Sequence, residues 1–389
     1  MFQIIDMIIK ILKHSIGFIL WIVSHLFRNK SSLFLFGSDS TEKNSNTFYL
    51  FKEMKKCGFK CYWVYKGDKI DFNNFEKCET VKFGSLHHIY LTLNASIFFI
   101  THTIYDVALC KSYGVTVINL WHGIPIKLLG YDSKVFIEKN SFKFKLGFKP
   151  EFYKWDFFCC STIFFKNVLS DAFNIDKNRM LITGSAKNHH VDRSELIISP
   201  LLSDFSSIIL YAPTYRPWTS SYLNFLGSKE LDDYLTLNNC CLLFKLHPYE
   251  FNRPVDFDFS PNIKDANVLF PDFSIEDLYS ISSVLVTDFS SALFDFSLSG
   301  RPFIIYAEDF DFYESKIGGS YINLKIDFKD VFCSDIETLI KNLHLVSNSG
   351  NDLPDKISHY ISRDVEYNSI DLIVNELNKL KVINLEFLK

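Results

Sequence analysis

The sequence predicts an α/β fold built from parallel sheets and divided into two domains. Short apolar runs bounded by polar residues alternate with helical stretches along most of the chain, which is typical of parallel strands covered on both faces. With 389 residues the chain has room for about two domains of ordinary size. A polar run from His189 to Glu195 lies between two such sets of strands and predicts a boundary near residues 190 to 205.

The expected strands of the first domain are Leu33–Phe36, Cys61–Tyr65, Ile97–Ile100 and Val115–Leu120, with a helix over Thr47–Lys56. Those of the second domain are Ile208–Tyr211, Cys240–Lys245, Asn267–Phe270, Val284–Val286 and Phe303–Tyr306. Residues 355 to 382 show apolar side chains at helical spacing and predict closing helices, which can cross back to the first domain.

Composition excludes several classes of protein. Apolar residues make up 48% of the chain and charged residues 22%, so wholesale disorder is not expected. A net charge of −4 argues against a general nucleic-acid binder. The nine cysteines form no CxxC pair, and the sequence contains neither an HExxH metal motif nor a P-loop. The cysteines are therefore expected as buried thiols in a reducing compartment.

The first 27 residues are strongly apolar, yet the uncharged stretch from His14 to Phe27 is shorter than the roughly 20 residues that span a bilayer. Trp21, with lysines before it and Arg28 and Lys30 after it, suits a helix that lies in the membrane interface. The alternative is an apolar helix docked on the protein's own core.

A basic segment, Tyr131 to Asp156, interleaves lysines with aromatic residues. It is expected as a solvated face or as a mobile basic loop that meets membrane phosphates or an anionic acceptor.

Three polar clusters follow predicted strands, where functional residues of open α/β sheets tend to lie. In the first, His122 and Gly123 follow a strand, and Lys127 comes soon after. A histidine there could accept a proton from an attacking hydroxyl, although a lone histidine at a strand end is often structural.

The other clusters belong to the second domain. Thr214 and Arg216 offer a hydroxyl and a guanidinium fork to phosphate oxygens. Lys245 and His247 share one side of an extended segment. A turn before a short helix adds further hydroxyls and a carboxylate, from Thr287, Asp288, Ser290 and Ser291. This turn is either an ordinary helix cap or an anion site, and the whole set suits a pyrophosphate without a metal.

Four segments, LWHGIPIKLLG, LYAPTYR, FKLHPY and VLVTDFSSALFDFSLSGRPFIIY, occur in this order. Together they resemble the CDP-glycerol glycerophosphotransferase family, the teichoic-acid primases and polymerases, which also has relatives in capsule synthesis. The resemblance covers about residues 32 to 330. It implies two Rossmann-like domains facing a cleft, a GT-B-like plan, at the cytoplasmic face of the membrane. It also implies transfer of a polyol phosphate from a CDP-activated donor to a hydroxyl, with release of CMP.

The expected organisation is then a membrane-associating helix (1–30), an acceptor-side domain (31–195) and a donor-binding domain (196–389). The resemblance places the catalytic histidines at His122 and His247. Gly123 and Lys127 are assigned to the acceptor side, and the donor-binding residues are Thr214, Arg216, Lys245, Thr287, Asp288, Ser290 and Ser291. The partners would be CDP-glycerol or CDP-ribitol, an anionic membrane surface, and a lipid-linked saccharide or polyol-phosphate polymer as acceptor. No tightly bound cofactor is expected, although loosely associated Mg²⁺ would be compatible with the donor.

Two segments depart from the family pattern. Gly184 to His190 reads GSAKNHH where a Gly-x-Pro-Arg-Asn-Asp segment is usual, and Tyr313 to Tyr321 replaces an arginine-rich loop. Both bear on the choice of substrate. The alternatives are a GT-B glycosyltransferase or nucleotide-sugar epimerase, whose glycine-rich turns are not evident here, and a non-catalytic membrane-attached scaffold.

Overall fold

The structure is a computed structural model that describes residues 15–26, 31–39, 45–67, 79–189, 199–216, 218, 221–246, 259–349 and 355–383. The chain divides into two compact units. The first unit comprises residues 1–123, 138–190 and 362–389, and the second comprises residues 124–137 and 191–361. The limits of the two α/β domains predicted from the sequence differ from this division in three segments, 124–137, 191–195 and 362–389.

The first unit is built on a seven-stranded sheet in which every pairing is parallel. Its strands are β1 (Ser31–Phe36), β2 (Lys60–Tyr65), β3 (Thr80–Lys82), β4 (Ala95–Ile100), β5 (Thr116–Asn119), β6 (Phe157–Cys160) and β7 (Met180–Ile182). The order β3-β2-β1-β4-β5-β6-β7 reverses direction between β1 and β4. Ligands of open parallel sheets bind at such a switch point, beyond the carboxyl ends of the strands.

The helices of the first unit are α1 (residues 15–24), α2 (Asn46–Lys56), α3 (Leu86–Asn94), α5 (Ile163–Phe173), α14 (Arg363–Tyr367) and α15 (Ser369–Lys379). The terminal helix α15 contributes Ile370, Ile373 and Leu377 to one core with Phe51 of α2 and Phe36 of β1. This apolar contact explains why the last helix groups with the first unit.

The second unit is built on a six-stranded, all-parallel sheet of order β10-β9-β8-β11-β12-β13. Its strands are β8 (Ser207–Ala212), β9 (Cys240–Phe244), β10 (Ile263–Asp265), β11 (Val284–Thr287), β12 (Phe303–Tyr306) and β13 (Phe332–Cys333). The order reverses between β8 and β11. The two parallel sheets confirm the predicted α/β class.

The helices of the second unit are α6 (Lys229–Leu237), α7 (Ala266–Leu269), α8 (Ile275–Ile281), α9 (Ala292–Ser297), α10 (Phe310–Ile317), α11 (Leu324–Asp327), α12 (Ile336–Ser349) and α13 (Ile357–Tyr360). Apolar residues of α6 and α12, including Leu231, Leu235 and Leu339, share a core with the buried faces of β8, β9 and β12.

One predicted strand is wrong. Residues 267–270 belong to the short helix α7 and its C-cap, and the strand lies just before them as β10. The Asp265 carboxylate accepts a hydrogen bond of 2.8 Å from the Asn267 N–H. An Asp that caps the following backbone amides starts a helical turn, and this local signal outweighs the apolar run Val-Leu-Phe.

The described part of the N-terminal segment, residues 15–26, contains α1. Small residues face its own unit: Ser24 is buried and accepts a 2.8 Å hydrogen bond from the Tyr113 N–H. A Cβ at Gly17 would lie 2.8 Å from the Leu109 carbonyl oxygen, so only glycine fits there. The large apolar residues Phe18, Ile19 and Ile22 are instead more than half exposed. Among the described residues, no helix has the length and apolar character to cross a membrane.

The basic segment is helical rather than a loop over much of its length. Helix α4 (Lys134–Lys145) has no buried residue, so the expectation of a mobile basic loop is wrong for this part. Its lysines lie with Phe142 on an exposed helical surface.

Candidate active site

His122 lies on a strained turn directly after β5. Trp121 has a φ of +57°, a left-handed conformation that a bulky side chain rarely adopts. Two side-chain amides stabilise this turn. The side-chain Oδ1 of Asn119 accepts a 2.7 Å hydrogen bond from the Trp121 N–H, and the side-chain amide of Asn46 donates to the backbone carbonyl oxygens of Leu120 (3.2 Å) and Trp121 (2.9 Å). Such strain persists where the surroundings fix the turn, often at a functional site.

Asn46 reaches this turn because it is the first residue of α2. Ser45 caps that helix by accepting from the Phe48 N–H. The side-chain Oδ1 of Asn46 accepts from the Lys187 N–H at 3.1 Å, so Asn46 also joins the His122 turn to the segment after β7. The Trp121 indole packs among the rings of Trp155, Phe158 and Phe173.

His122 is an exposed residue, and its ring contacts His102, Thr101 and the Trp121 ring, whose centroid is 4.2 Å away. The rings of His102 and His122 stack with centroids 4.1 Å apart and planes 4° from parallel. The Nδ1 atom of His122 lies 3.4 Å from the Thr101 carbonyl oxygen. Because a carbonyl can only accept, Nδ1 carries the proton and Nε2 keeps a lone pair. Desolvation of the ring by the neighbours that stack on it, together with the nearby His102 and Lys187, lowers the pKa of His122 and favours the neutral imidazole. A neutral imidazole with a free Nε2 can act as a general base.

Arg216, in the second unit, binds protein groups through Nε, Nη1 and Nη2 of its guanidinium. Its guanidinium is buried between Asp288 at 2.8 Å and Asp309, whose two oxygens lie 2.7 and 3.0 Å from Nε and Nη2. It also donates to the Thr214 carbonyl oxygen and lies 4.2 Å from the ring centroid of Tyr222. Burial alone would lower the pKa of Arg216, but the two carboxylates outweigh it and raise the pKa.

Thr287 and Asp288 are buried and connect β11 to β8. The Thr287 hydroxyl donates to the Ala212 carbonyl oxygen at 2.6 Å. The Asp288 carboxylate accepts from the Thr214 N–H at 2.8 Å and from the Phe289 N–H at 2.6 Å. These atoms therefore fix the two strand ends at the switch point. The Thr214 hydroxyl, by contrast, is buried and has no hydrogen-bond partner among the described groups.

Ser290 and Ser291 are the half-exposed hydroxyls of this turn. The Ser290 hydroxyl accepts from the Ala292 N–H at 3.2 Å, and the Ser291 side chain makes no capping hydrogen bond. Helix α9 begins at Ala292 and spans only six residues. A helix this short has a weak dipole, so an anion here would depend mainly on the hydroxyls and free backbone N–H groups.

Lys127 lies in the second unit, in residues 124–137, with its Nζ 5.2 Å from the centroid of the Tyr313 ring. Burial lowers the pKa of Lys127, against the raising effect of Asp288. The backbone near Lys127 pairs with residues 319–321. The Tyr321 N–H donates to the Ile126 carbonyl oxygen, and the Leu128 N–H donates to that of Gly319. Lys127 is thus a partly desolvated cation in the same cluster as Arg216 and Asp288.

Lys245 follows β9 and donates to the Asn267 side chain (3.2 Å) and to the Phe273 carbonyl oxygen (3.1 Å). Burial lowers the pKa of Lys245, against the raising effect of Asp265. Contacts thus bring together Thr214, Arg216, Thr287 and Asp288, while Lys245 binds other groups. His247, the second predicted catalytic histidine, lies outside the described residues.

Sequence reasoning missed three residues of these sites: His102, Asn46 and Asp309. His102 follows β4 as His122 follows β5, and parallel neighbours end at the same edge of a sheet, so strand position could have identified it. The roles of Asn46 and Asp309 depend on tertiary contacts that no local pattern signals. Within the described ranges, no cluster of three or more His, Cys, Asp or Glu residues could hold a metal ion.

Comparison with known proteins adds independent information. The family described as CDP-glycerol:poly(glycerophosphate) glycerophosphotransferase matches residues 19–371. A teichoic acid glycerol-phosphate transferase of Staphylococcus aureus is 29% identical over 266 residues, which are 63% of this chain and 65% of that protein. The teichoic acid ribitol-phosphate polymerase TarL of the same species is 32% identical over 111 residues, or 27% of this chain and 19% of the polymerase. The chain therefore spans less than two thirds of the length of these relatives.

A solved structure of the wall teichoic acid polymerase TagF has the same fold, with a TM-score of 0.70 and 21% identity. The alignment covers 97% of this chain and 99% of the TagF chain. With most of its length matched, this chain belongs to the CDP-glycerol:poly(glycerophosphate) glycerophosphotransferase family.

Proposed function

We propose that the protein transfers a polyol phosphate, with glycerol phosphate as the first candidate, from a CDP-activated donor to a hydroxyl of a polyol-phosphate polymer or lipid-linked acceptor. CMP would leave. The relatives named above act on glycerol phosphate or ribitol phosphate. Membership of the family supports the reaction class, and the presentation of His122 is the single structural observation that carries the proposal.

In this mechanism the acceptor oxygen attacks the phosphorus that bears the polyol. The bond from that phosphorus to the bridging oxygen breaks, and the bridging oxygen leaves on CMP. The acceptor proton goes to Nε2 of His122, the atom left free by the Nδ1 contact with Thr101. Phosphoryl transfer needs mainly positioning and stabilisation of charge, with the base assisting removal of the proton.

The second unit would bind the donor. The unpaired Thr214 hydroxyl and the half-exposed hydroxyls of Ser290 and Ser291 can donate to phosphate oxygens. Lys127, which the sequence assigned to the acceptor side, lies in this unit beside Tyr313 and would instead offset phosphate charge. Lys245 stays a predicted donor ligand, and His247 stays the second predicted catalytic histidine. Arg216 would act by holding Asp288 and Thr214 in place, since its own donors bind protein groups. Mg²⁺, when bound, would add charge neutralisation on the diphosphate.

We also propose peripheral attachment to the cytoplasmic face of the cell membrane. The exposed apolar side chains of α1 and the lysines of α4 support it, because apolar and basic helical surfaces bind anionic bilayers together. Synthesis of teichoic-acid-like or capsule polymers would place the acceptor at that surface.

The test is release of CMP by purified full-length protein supplied with an acceptor and with CDP-glycerol or CDP-ribitol. We expect CMP from at least one donor and a longer acceptor product, whose length separates single transfer from polymerisation. Release of UDP from a UDP-sugar would instead indicate a glycosyltransferase. No nucleotide release from any donor would indicate the non-catalytic scaffold.

A further inference from the structure

The stacked rings of His102 and His122 lie at the carboxyl edge of the first sheet, after β4 and β5. Parallel stacking leaves no ring N–H pointing at the other ring's lone pair, so the two imidazoles are not hydrogen-bonded to each other. Direct proton transfer between them is therefore excluded in this geometry. The two rings can therefore affect each other in two ways. Their contact fixes the plane of the His122 ring, and a positive charge on one ring disfavours protonation of the other.

His102 is itself held by a chain of hydrogen bonds. The buried carboxylate of Asp106 accepts from the N–H of Thr101 and the N–H of His102, both at 2.9 Å, and lies 3.2 Å from the Thr101 hydroxyl. Because a carboxylate accepts, Thr101 donates its hydroxyl proton to Asp106. The Thr101 oxygen, 2.9 Å from His102 Nδ1, then accepts from that ring.

Thr101 thus orients both imidazoles. Its hydroxyl accepts from His102, and its carbonyl oxygen accepts from Nδ1 of His122 at the longer distance of 3.4 Å. A ring needed only as apolar packing would not require this chain of polar contacts. These contacts fix the orientation of the His102 ring and leave Nε2 as the basic atom of His122.

We propose that His102 is a positioning residue for His122, holding the ring of the base and limiting the pair to at most one positively charged imidazolium. The inference rests on the proposed role of His122. A neutral His102 tolerates the imidazolium that forms when His122 takes the acceptor proton, whereas a protonated His102 opposes it. Protonation of either ring at acid pH would therefore stop the reaction.

The other charged groups around the pair come from neighbouring segments. Lys187, from the turn after β7, adds positive charge near His122 and favours its neutral form, as does burial. Asp106 lies behind Thr101 on the His102 side, where Lys66 from the end of β2 also acts on the carboxylate. The neutral form of His122 is the form that can accept the acceptor proton.

The experiment compares His102→Phe, which keeps a flat ring without a titrating group, with His102→Ala, which removes the ring. His87→Phe is the control, because His87 is exposed in the same unit on α3. The first readout is the ¹⁵N NMR titration of the His122 ring in histidine-labelled protein, assigned with a His122→Asn variant. The second is the pH profile of kcat for CMP release.

In His102→Phe we expect the titration midpoint of His122, and with it the acid limb of kcat, to rise by about half a pH unit or more. In His102→Ala we expect kcat to fall roughly tenfold while KM for the donor changes little. An unchanged His122 midpoint in His102→Phe, or full kcat in His102→Ala, would overturn the proposal. The NMR readout needs no substrate, so a protein that releases no CMP would refute the proposed function and still leave this inference open to its own test.

Discussion

At the scale of single residues, the two sheet edges use polar groups differently. Around His122, side-chain amides stabilise a strained backbone turn that presents one imidazole ring. At the end of β11 it holds the buried pair Arg216 and Asp288, and Arg216 also contacts the partly exposed Asp309. A buried ion cluster contributes little net stability compared with apolar residues, but removing one member leaves the others uncompensated.

Arg216→Ala should therefore unfold far more easily than the wild type. With the buried Asp288 left without its cation, we expect a loss of about 3–5 kcal/mol in the free energy of unfolding, measured by urea denaturation. Lys379→Ala, which removes an exposed ion pair with Glu376, is the matched control and should change it by less than about 0.5 kcal/mol. An Arg216→Ala protein as stable as the control, but unable to bind CDP-glycerol, would instead make the guanidinium a donor ligand.

At the scale of helices and strands, the sequence predicted most of the parallel strands because buried strands are continuous apolar runs. It failed at Asn267–Phe270, where the Asp265 cap decides for a helix. Polar residues at strand ends were located correctly, but their partners were not. The Arg216–Asp309 contact joins residues 93 positions apart, and apolar periodicity carries no information about such a pair. The docking contacts of Gly17 and Ser24 could not be predicted for the same reason, since they depend on the distant residues Leu109 and Tyr113.

Helix α1 gives the prediction at this scale. Replacing Phe18 and Ile22 by Ser removes exposed apolar side chains and should leave the docked face of Gly17 and Ser24 intact. We expect co-sedimentation with anionic phospholipid vesicles to weaken at least roughly tenfold, given the free energy of burying two such side chains. Leu237→Ser on α6 is the control, because Leu237 is 81% exposed in the second unit. Equal vesicle binding by the double variant and the control would argue against α1 as the membrane-binding surface.

At the scale of the whole molecule, both parallel sheets carry polar residues at the carboxyl ends of strands at or next to the point where the strand order reverses. In the first unit the residues after β4 and β5 present a neutral imidazole. In the second, those after β8 and β11 form a fixed turn with free hydroxyls. Under the proposed function, the first unit removes the proton and the second unit binds the charged donor, which predicts that substitutions can separate the two activities.

The most direct measurement is CMP release and CDP-glycerol affinity of His122→Ala, determined side by side with the wild type. We expect turnover to fall by at least about a hundredfold, as for loss of a general base, while the Kd for CDP-glycerol, measured calorimetrically, stays within about twofold of the wild type. The contrary result, a weakened Kd with unchanged turnover at saturating donor, would mean that His122 binds the donor and that the base lies elsewhere.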